Sequence, residues 1–238
     1  MSALPEMRAK VTGKIDVLIR ATQPDVNLDE PFFAINWFST KVEWLYHLYN
    51  FLAVRSVRKI NGVPFFKGKV TETILDNGKG RRDLILIVRY PSGKNFMALM
   101  QSTYFKMVSI FRILSVSKFT FGFTHKIESD DISTKEDELY YAIHHFKSDK
   151  KREEIFQQLQ QILPAEIAIK YGGHIIATLN SQKANKSVEQ IPKLMDGVYI
   201  FQSPDETNLR DFLTSEVYQN FIGNLQSSHI SLLNRIAV

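Results

Sequence analysis

Two adjacent histidines, His144 and His145, stand inside the apolar run YYAIHHF (140–146). Imidazole titrates near neutral pH, so a histidine held in an apolar wall can accept or hand on a proton or ligate a metal. Its ordinary role there is that of a hydrogen-bonded core side chain. Strand alternation turns the two rings to opposite faces of a sheet, so at most one of them faces any interior site. These two are the catalytic candidates. Asn36 and Trp37 lie in a similar run, FFAINWF (32–38), and Arg89 and Tyr199 lie in apolar strands further on. Together these four are the ligand-binding candidates. The planar fork of Arg89 suits a carboxylate or phosphate, although a surface ion pair is its common use. The aromatics serve a cavity or a filled core equally well. Lys79, Arg81 and Arg82 belong to a hairpin tip, where charge is normally solvated.

The rest of the chemistry is excluded by what surrounds these residues. There is no cysteine, which removes disulfides, zinc–thiolate sites and thiol nucleophiles. His47, His125, His174 and His229 make no H-x-x-x-H or H-E-x-x-H pattern, so no metal site is expected. His47 and His229 read as lying in or beside helices, His125 and His174 at strand ends. Gly78-Lys79-Gly80 lacks phosphate-loop spacing, Gly172-Gly173 precedes a strand, and no serine sits in G-x-S-x-G. No cofactor is expected.

The elements that must position the candidates follow from periodicity. Residues 32–38 form a strand, 41–60 a helix entered through Ser39-Thr40, and 63–75 a strand with a bulge at Gly68. Asp76–Gly80 is a turn, 83–90 a strand, 94–113 one helix and 118–125 a strand. The charged stretch 128–138 reads as a linker. A strand over 139–146, a helix capped by Asp149 and ended by Pro164, and strands over 173–180 and 197–203 follow. Next come a helix from Pro204-Asp205 to Leu225 and a strand over 230–238. Met7 to Ile19 has helical spacing and predicts an N-terminal arm.

The order β-α-β-β-α-β occurs twice. Phe32–Phe38 lies over Tyr140–Phe146, 108 residues on, and Tyr90–Ser102 over Ser203–Ser215, 113 residues on; Pro91, Asn95 and Ser102 recur as Pro204, Asn208 and Ser215. Each unit is a split βαβ motif whose open sheet face must be covered. Two units cover each other by closing eight strands into a barrel with helices outside. The expected organisation is an arm (1–31), a first ferredoxin-like repeat (32–127), a linker (128–138) and a second repeat (139–238). Asn36 and His144 then occupy one repeat position, and Trp37 and His145 the next.

The segments Arg89-Tyr90-Pro91-Ser92, Ser203-Pro204-Asp205 and Leu213–Gln219 resemble the dimeric α/β-barrel superfamily, and within it a small bacterial family of unknown function. The resemblance implies an α+β fold of two fused ferredoxin-like repeats forming a pseudo-twofold barrel. The superfamily includes cofactor-free monooxygenases, muconolactone-type isomerases and tandem-repeat heme proteins of the chlorite dismutase type, and fold alone does not choose among them. In the heme members a second-repeat histidine holds iron. His229 is the second-repeat helical candidate for that role, but it aligns with no such motif.

Charge is unevenly spread. Residues 41–126 carry 15 basic and 4 acidic side chains, net +11, within a chain of net +5. This suggests a polyanion surface, or two faces that complement each other. Three classes therefore compete: a small-molecule binder using the barrel, a cofactor-free enzyme there, and a nucleic-acid or other polyanion binder on the basic repeat. No nucleic-acid motif accompanies the charge, so small-molecule binding leads. No apolar run is long enough to span a bilayer and no secretory signal is seen. The expectation is a cytoplasmic monomer or homodimer with no membrane partner.

Overall fold

A computed structural model describes residues 30–76, 82–127, 135–180 and 197–236. The proposed N-terminal helix and most of the 128–138 linker lie outside them, as do Lys79, Arg81 and the 181–196 connection. The elements are β1 (Phe32–Thr40), α1 (Glu43–Lys59), β2 (Val63–Leu75), β3 (Leu84–Tyr90), α2 (Gly93–Gln101), α3 (Thr103–Ser115) and β4 (Val116–Ile127), then β5 (Tyr140–Lys147), α4 (Arg152–Ile162), β6 (Ala168–Asn180), β7 (Gly197–Ser203), α5 (Glu206–Thr214), α6 (Glu216–Gly223) and β8 (Ser227–Arg235).

All eight strands close into one antiparallel barrel, in the order β1-β3-β2-β8-β5-β7-β6-β4. Each half contributes four neighbouring strands in the ferredoxin-like order 4-1-3-2. The halves join where β2 pairs with β8 and β4 with β6. Half a turn about the barrel axis carries the first four strands onto the second four. Trp37 and His145 therefore face each other from equivalent places. This is the fused two-repeat barrel that the sequence leads one to expect.

Three apolar layers hold it together. Phe33, Ile35, Trp37, Phe66, Ile85, Ile87, Tyr141, Ile143, Tyr171, Val198, Ile200 and Leu233 fill the barrel interior. Outside, Phe32, Val88, Phe96, Leu99 and Val108 pack the first half's helices on its sheet. Ala142, Ile155, Leu159, Phe201, Leu209 and Phe212 do the same in the second half. Burial on both faces is why the strands read as continuous apolar runs rather than as an alternating pattern.

Local differences from the sequence expectation have local causes. The helix expected over 94–113 is two helices, broken where Ser102 leaves the helical conformation and its hydroxyl accepts the amide of Phe105. Ser215 does the same for Tyr218 at the equivalent place. At each break the serine side chain satisfies an amide that the new helix leaves without an intrahelical partner. α1 begins after Val42 and α4 after Lys151, neither with a side-chain cap, so Ser39-Thr40 and Asp149 do not cap them. The register of β2 shifts at Pro64/Phe66, Val70/Glu72 and Thr73/Leu75, not at Gly68.

Gly197 pairs with Phe146, and a Cβ on it would fall into the Phe146 ring. Gly197→Ala is therefore expected to lower stability by about 1–3 kcal/mol through overpacking. Urea unfolding checks this, and an unchanged midpoint would contradict it.

Candidate functional site

Alternation along β5 decides the role of each histidine. Tyr141, Ile143 and His145 face the interior, while Ala142, His144 and Phe146 face the helices. His144 is fully buried beneath α6. Its Nδ1 lies 2.8 Å from the Tyr218 hydroxyl and its Nε2 3.0 Å from the Ser228 hydroxyl. Burial, and secondarily the nearby His229, lowers its pKa to about 3. A neutral imidazole offers one donor and one acceptor, and two hydroxyls can meet both. His144 is thus satisfied within the second half's outer core.

His145 is held differently. Its ring stacks on Trp37 across the barrel, with centroids 4.2 Å apart and planes 22° from parallel. His229, its register partner on β8, sets its ring edge-on to Trp37 at 5.1 Å. His229 Nε2 lies 3.2 Å from the Ser231 hydroxyl and Nδ1 3.5 Å from the Asp76 carboxylate. The Ser231 hydroxyl lies 3.4 Å from that of Thr73. The buried guanidinium of Arg82 sits 5.5 Å over the Trp37 ring.

Both ring nitrogens of His145 and the indole N–H of Trp37 are buried with no hydrogen-bond partner among the described residues. Burial first, then His229, His144 and Arg82, hold the His145 pKa well below the usual histidine value. The result is a neutral imidazole, an unsatisfied indole donor and a cation gathered at one end of the barrel interior. Such a group can hydrogen-bond and orient a ligand. It is a weak base, because an effective general base has a pKa near the working pH.

The other candidates lie elsewhere. Asn36 is on the outer face of β1, where its Nδ2 donates to the carbonyls of Leu86 at 3.2 Å and Ala34 at 3.4 Å. Tyr199 faces the helices and stacks with Phe146 and Phe156. Arg89 is exposed and pairs in register with Phe33, toward the opposite end of the barrel from Trp37. Of the six candidates, the structure brings Trp37 and His145 together inside the barrel, and it sets His144 opposite Tyr199 in the outer core.

Three members of the cluster escaped the sequence reading. His229 is on β8, not on a helix, because β8 begins three residues earlier than the apolar run suggests. It is therefore not the helical histidine that a heme reading would use. Arg82 is buried rather than solvated. Ser231 is the third. The alternation His229-Ser231-Leu233, continued backwards from the apolar end of β8, is the signal that points to the first and last. Among the described residues no group of three His, Asp or Glu side chains is placed to hold a metal ion. No described helix is long and apolar enough to cross a membrane.

No family model and no curated protein matches the chain. Solved structures do. An anthrone oxidase-like protein is 9% identical, with a TM-score of 0.57 over 88% of this chain and 92% of that one. A candidate monooxygenase from Fusobacterium nucleatum is 11% identical, with a TM-score of 0.53 over 87% and 93%. Another from Lactobacillus acidophilus is 11% identical, with a TM-score of 0.50 over 87% and 94%. At such identities the likeness is one of fold. It agrees with the strand order: the chain has the dimeric α/β-barrel fold, with both halves of the barrel drawn from one polypeptide.

Proposed function

We propose that the chain binds a small molecule at the end of the barrel marked by Trp37, His145, His229 and Arg82. The observation that carries this reading is the buried, unpartnered state of both His145 nitrogens and the Trp37 indole N–H. A buried polar group without a partner costs about 1–3 kcal/mol, and three together favour a ligand that supplies what the barrel wall does not. The stacked rings favour a flat molecule, and Arg82 favours one carrying a negative or strongly polarised oxygen. The low basicity of His145 supports binding and orientation ahead of proton abstraction. An enzyme built on this site would rely on the bound anion to raise that basicity.

The test is a melting-temperature screen with small aromatic and polyketide-like acids. A ligand present at about 100 times its Kd stabilises by about 2.7 kcal/mol, or about 5–11 °C for a chain of this size. The shift is expected to vanish in His145→Ala and to shrink in Trp37→Phe. A shift of equal size in both variants would discard the site.

A further inference from the structure

The outward faces of the two halves differ. Among the described residues nine large apolar side chains are exposed, and six of them lie on α1 and α3. Trp44, Leu48 and Phe51 stand one turn apart along α1; Tyr104, Met107 and Leu114 follow the same spacing on α3, with half-buried Phe111 between them. The two stripes are continuous. The amides of Lys41 and Val42, at the entry to α1, bond the carbonyl of Ser115 at the exit of α3, so the helices run antiparallel with Leu114 toward Trp44. At the other end the Tyr104 hydroxyl reaches the Leu52 carbonyl. The matching pair in the second half, α4 and α6, exposes only Val217 among such residues.

Charge around this face has one sign. Lys41, Arg55, Arg58 and Lys59 are exposed at or along α1, and Lys106 is half-buried on α3. Arg55 lies over the Phe51 ring, at 4.8 Å. The sole acid on α1, α2 or α3 is Glu43, which lies 3.8 Å from His47.

We propose that this two-helix face docks on an anionic lipid surface without crossing it. The charge selects the occupant. A second copy packing the same face about a twofold axis would set cation rim against cation rim. A second copy offering its second half, where residues 127–238 carry 16 acidic and 11 basic side chains, would present a face half a turn away around the barrel, a head-to-tail contact that grows into chains and does not close. A planar anionic bilayer meets both features at once. Its acyl boundary takes the tryptophan, phenylalanine, methionine and leucines, and its headgroups take the lysines and arginines. Tryptophan and tyrosine are the residues that favour that boundary. A chain with no long apolar run can still meet a membrane through an amphipathic helical face.

The experiment mixes the full chain with vesicles of phosphatidylcholine alone and of phosphatidylcholine with about one third phosphatidylglycerol. Cosedimentation is expected to be at least about tenfold stronger with the anionic vesicles and to weaken with salt. The chain has two tryptophans. Trp37 is buried and Trp44 is 69% exposed, so emission should shift to the blue on binding, and the shift should persist in Trp37→Phe. Trp44→Glu with Phe51→Glu should abolish both signals while leaving the melting temperature within a few degrees. Three outcomes would overturn the proposal: no binding to anionic vesicles, equal binding to both vesicle types, or a dimer by light scattering that the double substitution dissolves. The last would make the face a contact between copies.

Discussion

Replacing His144 by alanine is expected to lower the unfolding free energy by about 3–4 kcal/mol, whereas His145→Ala is expected to cost about half as much. The neighbouring rings are of equal size and equally buried, and the difference lies in their partners. Removing His144 leaves the Tyr218 and Ser228 hydroxyls in a dry layer without their bonds to it, and an orphaned buried hydroxyl adds about 1–3 kcal/mol to the cost of the cavity. Removing His145 takes away two nitrogens that bond nothing among the described residues and one stacking contact on Trp37. Denaturant unfolding of the two variants side by side checks this. Equal losses, or a larger loss for His145→Ala, would show that the partners of His144 contribute little. The same pair of variants separates stability from binding, because ligand affinity is expected to follow His145 and not His144.

Acid should destabilise the fold well before its carboxylates titrate. In the unfolded chain a histidine binds its proton near pH 6.5. In the folded chain burial pushes His144 down to about 3 and His145 in the same direction. Between these limits the unfolded state holds more protons than the folded state. Stability is therefore complete above about pH 6.5 and declines as the pH falls toward 3. Each such histidine gives a slope approaching about 1.4 kcal/mol per pH unit. A series of urea titrations from pH 7.5 to 5 isolates the effect, since that window lies above the carboxylate range. His144→Ala should flatten the slope by about half. A midpoint that does not move between pH 7 and pH 5 would mean that the rings take up protons without leaving their pockets.

The barrel was legible from the sequence because its information is carried by edges and repeats. β2 and β7 match their expected spans because Asn61-Gly62 marks where β2 starts and Pro204 where β7 ends. The second half announced itself through YYAIHHF and Ser215. The opposite orientation of His144 and His145 also followed from alternation alone. Which ring faces inward did not, because apolar residues flank both sides of β5 and pattern cannot tell a barrel interior from a helix-covered face. His229 and Ser231 were hidden for a related reason. β8 opens with Ser227-Ser228-His229, and three polar residues look like a loop unless the partners that bury them are known. Arg82 follows a glycine-containing segment of sequence, and its burial depends on Trp37, 45 positions earlier in the chain.

The stack of Trp37 on His145 is a pairing of unlike rings at like positions. A barrel assembled from two copies of one chain would have to place indole on indole or imidazole on imidazole there, since any substitution would appear on both sides at once. Joining the halves covalently releases that constraint. Each wall of the mouth can then change by itself, one side specialising in flat apolar contact and the other in hydrogen bonding. The barrel interior is consequently asymmetric at this end. Dilution cannot undo that asymmetry, because no second molecule is needed to complete the wall.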